Sequence, residues 1–347
     1  MNGDATGAGF AIEIRERYGD VARDRWPVSV DPLPDELLSS WLHRLAIANG
    51  IAPRAFAGVL GLGDGMWSPR LDLLLPLEIA ALLLDQSGVP HEAISPMATT
   101  GCAFTPLLLP LRENAHRNRS TWMQYCPRCL ADDDAPYFRR RWRLATRISC
   151  FVHGCGLRDR CPACRHGIAT FDQVDLVPQH FCARCVFDLR GATKVPIKTA
   201  ARRLERAVDD ICRVEAIKGS PATSDLVPRL LRAPKAIDAG PAKSLTSLST
   251  SARIRCFELL AAGPLDWLVA GQDAVAAHRR RSILAAGGHD GLIAGLADFL
   301  AKHQKRPRSD RPTQPSAGLA DLLTAYLRVA GDRTASKLHR DLPAQRA

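Results

Sequence analysis

The chain has 347 residues, more than one small core accommodates, and its length predicts two or three domains. Its 46% hydrophobic and 24% charged residues are ordinary for a globular protein, but the formal charge of +11 is not. No apolar run reaches about 18 residues and the first twenty carry neither a basic nor an apolar signal region. A membrane-spanning or secreted chain is therefore not expected, and a cytosolic one is.

The charge is concentrated. Between Arg117 and Arg165 eleven arginines stand against four aspartates, so 49 residues supply +7 of the +11. Such a segment suits a polyanionic partner, nucleic acid before membrane, unless the arginines form a solvated face or pair with nearby acids.

In chain order, the first strong helix signal is DELLSSWLHRLAIANG, residues 35–50. Asp35 can cap it, and Leu38, Trp41, Leu42, Leu45 and Ala46 fall at helical spacing on one face. Asn49-Gly50 ends it, and Pro53 opens a second helix, PRAFAGVLG, with Phe56, Val59 and Leu60 apolar. Two helices joined by a short glycine turn fit a helix-turn-helix or a plain αα-hairpin. The second helix offers only Arg54 for base reading, which points to a protein contact; Trp41, Arg44 and Arg54 are the candidate partner-contact residues. A third helix is predicted over PLEIAALLLDQSG, from Pro76 to Gly88.

Next comes a cysteine-dense stretch. Reduced cytosolic thiols point to metal rather than to disulfides, and four paired turns follow one another. They are Cys126 and Cys129, Cys150 and His153, Cys161 and Cys164, and Cys182 and Cys185. Two thiolates three residues apart in a tight turn reach one ion at about 2.3 Å, and a second turn completes a tetrahedron. The loop lengths favour sequential pairing into two structural zinc sites over a cross-braced arrangement. Cys155, His166 and His180 fall outside the paired turns, while Cys102, Cys212 and Cys256 are expected as small buried residues.

Inside the first site's loop lies PYFRRRWRL, residues 136–144. Phe138 and Trp142 align with Ala145 on a helix or with Leu144 on a strand, and are expected to pack on the zinc modules. Arg139, Arg141 and Arg143 are then expected to face outward toward nucleic acid, unless Asp132 to Asp134 pair with them.

Beyond this, TAARRLERAVDDICRVEAIKG is a predicted helix with Leu204, Val208 and Ile211 inward. Four prolines and six serines between Gly219 and Ser251 predict a linker. A helical pattern returns from Ala252, and KHQKRPRSDRPTQPS is a second, basic linker. The expected fold is mainly α with a small zinc-stabilised region. Its parts are a helix-turn-helix domain over 30–120, tandem zinc fingers over 121–190 and a connecting helix over 191–218. A linker over 219–251 and a helical region over 252–347 complete it. Closed four-ligand sites leave no position for water, and no metalloprotease, P-loop or nucleophile-elbow motif occurs, so no enzyme is expected.

Two blocks carry a family resemblance. LPDELLSSWLHRLAIANG at 33–50 and YCPRCL...PYFRRRWRL...CFVHGCGLRDRCPAC at 125–164 are similar to the opening and zinc-finger blocks of the TniQ family, which includes TnsD-like target selectors of bacterial transposons. The resemblance implies a non-catalytic, cytoplasmic adaptor that helps select a target DNA site. It further implies two zinc ions, held by the eight paired ligands, and recruitment of an AAA+ ATPase regulator and then a transposase. A homodimer is implied too, docked in some members on an RNA-guided complex. A zinc-ribbon, helix-turn-helix transcriptional regulator is the alternative that the residues alone allow equally.

Overall fold

The computed structural model describes residues 25–59, 71–99, 104–110, 122–168, 173–218, 225–237, 244–270 and 273–304. Among them the fold is mainly helical, with isolated β-bridges and no named strand. Eleven α-helices run in chain order: α1 Leu38–Ala48, α2 Pro53–Val59, α3 Leu77–Ser87, α4 His91–Ile94, α5 Pro127–Asp132, α6 Thr199–Lys218, α7 Leu226–Arg232, α8 Thr250–Leu260, α9 Asp266–Val269, α10 Ala274–Ala285 and α11 His289–Gln304. The basic stretch after α11 and the end of the predicted C-terminal region lie outside the described residues, as does Cys102.

The N-terminal helices follow the apolar periodicity. Leu38, Trp41, Leu42 and Leu45 of α1 are buried against Phe56 of α2, Ile79 and Leu83 of α3, and Ile94 of α4. Gly50 adopts φ 71°, and the N–H groups of Ile51 and Gly50 bond back to Ala46 and Ile47, which closes α1 with a Schellman turn. α3 runs between Pro76 and a left-handed Gly88, as its sequence predicts.

The start of α1 differs from expectation. Asp35 does not cap it; Leu37 occupies that position and offers no side-chain acceptor. The cap comes from far along the chain, where the Asp72 carboxylate accepts the Ser39 N–H at 2.8 Å and the Ser39 hydroxyl at 2.9 Å. Asp72 also meets Arg143 Nη1 at 3.2 Å. Both side chains are essentially inaccessible, and burial pushes the Asp72 carboxyl up to about 6 even against the pull of Arg143.

The second half of the chain builds a further core, which also takes in Leu107, Leu109, Ala145 and Ile148. Leu204, Val208 and Ile211 of α6 pack with Ile254, Phe257 and Leu260 of α8 and with Ile283 of α10. The stretch expected as a linker over 219–251 contributes to this core. It forms α7, whose Leu226, Val227 and Leu230 are buried, and Leu245 beyond it is buried too. Its short apolar segments have partners only in the folded chain, so its proline and serine content misdirects a local reading. Arg280 of α10 is buried here and meets Glu215 at 2.6 Å and Asp225 at 2.8 Å.

Between these two bodies lies PYFRRRWRL, which is neither a helix nor a strand. Leu37 donates to the Phe138 carbonyl at 2.9 Å, Phe138 donates to the Ser40 hydroxyl at 3.0 Å, and Arg140–Arg143 make one 3₁₀ turn. Phe138 and Trp142 meet edge to face, 6.2 Å apart, and are buried with Ala145, while Leu144 is half-buried.

The Asp72–Arg143 pair yields a stability prediction. Arg143→Ala leaves a buried carboxylate and the α1 cap without their cation and is expected to cost about 3–5 kcal/mol. Arg143→Met combined with Asp72→Asn is expected to recover most of that loss in urea denaturation, because no buried charge then remains unpaired.

Candidate metal centres

The eight paired ligands come together as two groups in sequence order: Cys126, Cys129, Cys150 and His153, then Cys161, Cys164, Cys182 and Cys185. Within each group the ligand atoms lie within 4.8 Å of one another. The pairing is sequential, and the cross-braced alternative does not occur.

In the first group Cys126 precedes α5 and Cys129 lies within it, so one helical turn aims both thiols the same way. Cys129 Sγ is 3.4 Å from Cys150 Sγ, and His153 Nδ1 lies 3.3 to 3.6 Å from the three sulfurs. In the second group the Cys161–Cys185 and Cys164–Cys182 sulfurs are each 3.6 Å apart. Tetrahedral thiolates at about 2.3 Å from a zinc ion lie about 3.8 Å apart, so both donor sets fit a four-coordinate ion with little movement. Four soft donors at such distances match the chemistry of a structural site better than that of a hard cation.

Three of the four turns share one backbone device. The N–H groups of Cys150, Cys161 and Cys182 bond to the carbonyls of Cys155, His166 and Phe187, and each ligand's carbonyl accepts from the fourth residue on. Those fourth residues, Gly154, Arg165 and Val186, all have left-handed φ of 56–63°. Glycine takes that geometry readily; a β-branched valine does so at a cost of order 1–3 kcal/mol, which the closed turn must hold. The sequence signals this at Gly154 alone.

Spacing also misses the role of Asp132. Its carboxylate accepts from His153 Nε2 at 2.7 Å, which leaves Nδ1 to face the three thiols. This carboxylate–histidine pair fixes the ring's tautomer and orientation, as is usual behind metal-binding histidines. Cys155 is buried with its sulfur 3.6 Å from Cys126 Sγ, behind the first group and not among its four. His166 bonds to the Gly167 carbonyl and His180 packs on Phe181, so neither joins a group. Cys212 and Cys256 are buried.

The arginines are arranged otherwise than expected. Arg143 does not face outward: its side chain is 1% exposed, paired with Asp72 and placed over the Trp122 ring. Arg139 meets Asp133 at 2.8 Å and lies over the Tyr137 and Trp142 rings. Arg141 pairs with Asp35 and keeps 43% of its side chain exposed. Arg140 also meets Asp35, at 3.5 Å, and Arg147 meets Asp209 at 2.8 Å. The pairing acids are mostly remote in sequence, which is why the local charge count overstates the free positive charge. Among the partner-contact candidates, Trp41 is fully buried and donates to the Val30 carbonyl at 2.6 Å. Arg44 is clamped on the buried Glu36 at 2.6 and 2.9 Å, and Arg54 is exposed on α2. Trp41 and Arg44 therefore serve the internal structure of the helical pair.

One family model, described as TniQ, matches residues 27–157. This segment is a TniQ domain. It spans α1 to α5, the arginine-rich turn and the whole first ligand group, and it ends just before the second group begins at Cys161. The match covers 131 of the 347 residues, less than half of the chain. No curated protein matches the sequence. Among the described residues no single helix is long and apolar enough to cross a membrane.

Two substitutions test the TniQ domain's ligand group. Asp132→Ala is expected to lower metal affinity about 10- to 100-fold in a chelator competition while leaving the stoichiometry unchanged. Cys129→Ser is expected to remove one metal equivalent by elemental analysis and to lower soluble yield sharply, since structural zinc contributes about 10 kcal/mol or more to folding such modules.

Proposed function

We propose that this chain is a non-catalytic transposition adaptor: it helps to define a target DNA site and recruits an AAA+ ATPase regulator, through which the transposase is engaged. The observation that carries this reading is the TniQ match, which covers both the N-terminal helices and the complete first ligand group. On this reading each group holds one zinc ion in a purely structural role. Seven thiols and one imidazole provide four protein donors per ion, which leaves no open coordination position for substrate or water.

The reading divides the labour between the two halves of the TniQ domain. The helical half takes part in protein contacts, with a second copy of the chain or with the ATPase, and exposed Arg54 belongs to that surface. The metal-bearing half contacts nucleic acid. Of the original trio, Arg141 is the outward member, while Arg139 and Arg143 hold the segment that presents it. Work on the DNA of a bacterial cytoplasm is the setting this implies, and thiols kept reduced there remain available as metal ligands.

Affinity capture of the tagged full-length chain from its native cell tests the proposal. Co-purification of an AAA+ ATPase and loss of targeted insertion when the chain is omitted from a reconstituted transposition reaction are expected. Insertion that proceeds to the same target without the chain, or nucleotide hydrolysis by the purified chain alone, contradicts it.

A further inference from the structure

A cavity of about 230 Å³ lies between the turn that joins the two ligand groups and the start of α8. Arg158, Arg160 and Arg165 line one side; Ser249, Thr250 and Ser251, at the N-terminus of α8, line the other. The cavity is smaller than the roughly 300–1,000 Å³ typical of drug-sized ligands, so it suits a single charged group rather than a whole nucleotide.

Its cations are positioned. Arg158 donates through Nε and Nη2 to the Thr193 carbonyl and hydroxyl at 2.7–2.9 Å, and Arg160 donates to the Arg165 carbonyl at 3.1 Å. Arg165 itself is set by the left-handed corner of the Cys161 turn, next to the ligand Cys164. The one carboxylate in the lining, Asp159, is buried and accepts the Thr250 N–H at 3.1 Å. Three arginines thus share the lining with one carboxylate, which accepts from the first turn of α8. α8 is eleven residues long, and its N-terminus adds a dipole of the same sign as the arginines; Ser249 Oγ caps the Ala252 N–H, the Thr250 hydroxyl donates to Gln124, and the exposed Ser251 has its Oγ 3.2 Å from Ser249 Oγ. Guanidinium forks, hydroxyls and a helix N-terminus together are the donor set that recognises phosphate oxygens.

We propose that this cavity binds a phosphate group, supplied by the backbone of a nucleic-acid strand that tracks across the second ligand group. The source rests on the DNA-handling reading above; the phosphate chemistry rests on the lining alone. The site lies outside the matched TniQ segment except for Leu157, and its far wall comes from the C-terminal half of the chain, so it joins the two halves of the protein over one phosphate.

Two variants of the full-length, metal-loaded protein test this without disturbing the fold. Ser251→Asp places a carboxylate in the first turn of α8, where it favours the helix while repelling an anion. Arg165→Gly removes a guanidinium at a φ of 63°, which glycine adopts more easily than arginine. One arm measures binding of a fluorescent duplex DNA against salt. The other follows the Ser251 amide by NMR during titration with inorganic phosphate. Ser251→Asp is expected to weaken duplex binding on the order of tenfold and, like Arg165→Gly, to make the log–log salt slope shallower by about 0.9, the value of one phosphate contact. The backbone amide at position 251 is expected to shift with phosphate in the parent and not in Ser251→Asp. A phosphate-dependent shift with unchanged duplex binding keeps the anion site but overturns the strand as its source. No shift, together with unchanged duplex affinity and slope in both variants, overturns the proposal. A parent that binds no duplex overturns the DNA reading, and the phosphate arm then decides the cavity by itself.

Discussion

The structure depends on gathering eight soft donors into two groups of atomic dimensions. The described residues between 125 and 192 form one short helix and two 3₁₀ turns, joined by isolated bridges such as Tyr125–Arg158 and Phe181–Asp188. So little regular backbone pairing cannot by itself offset the entropy of ordering these 64 residues, about 1–2 kcal/mol for each backbone. Six of the ligand cysteines are buried within one hydrophobic cluster or packed against it, beside Trp122, Tyr125, Phe138 and Trp142. The core of this region is therefore built around the ligand groups, and an ion in each would convert facing thiols into a fixed tetrahedral joint.

Around that joint, the arginines are paired with acids. Arg139, Arg140, Arg141, Arg143 and Arg147 each meet an acid, and the acids come from α1's approach, from Asp72 before α3, from α6 and from Asp133 next to α5. Buried ion pairs contribute little net stability relative to apolar packing, but breaking one is costly. The arrangement therefore fixes position: it holds the N-terminal helices, the metal region and α6 in one relation. Gln124, Thr250 and Arg253 extend the same logic to α8, with Arg253 donating to both of the others at 3.1 and 2.7 Å.

How legible this was depended on how local the determinants are. The ligand set and its sequential pairing follow from spacing, because both halves of each turn lie within a few residues. α1, α3 and α6 follow from apolar periodicity along their own length. The arginine-rich turn did not, because Asp72 lies 71 residues from Arg143 and Asp35 lies 106 from Arg141. α7 was hidden for the same reason: seven residues with a proline have no helical signal apart from the core that receives them. In the sequence Asp132 is one of three equivalent acids, although only its placement one turn beyond Cys129 gives it access to His153.

Zinc-edge X-ray absorption on the purified, full-length protein tests the central claim most directly, since it reads the donor atoms themselves. The two groups predict a first shell of seven sulfurs and one nitrogen shared over two four-coordinate ions, with zinc–sulfur distances of about 2.3 Å. A shell dominated by oxygen or nitrogen, or a protein that folds fully without bound metal, would contradict the account.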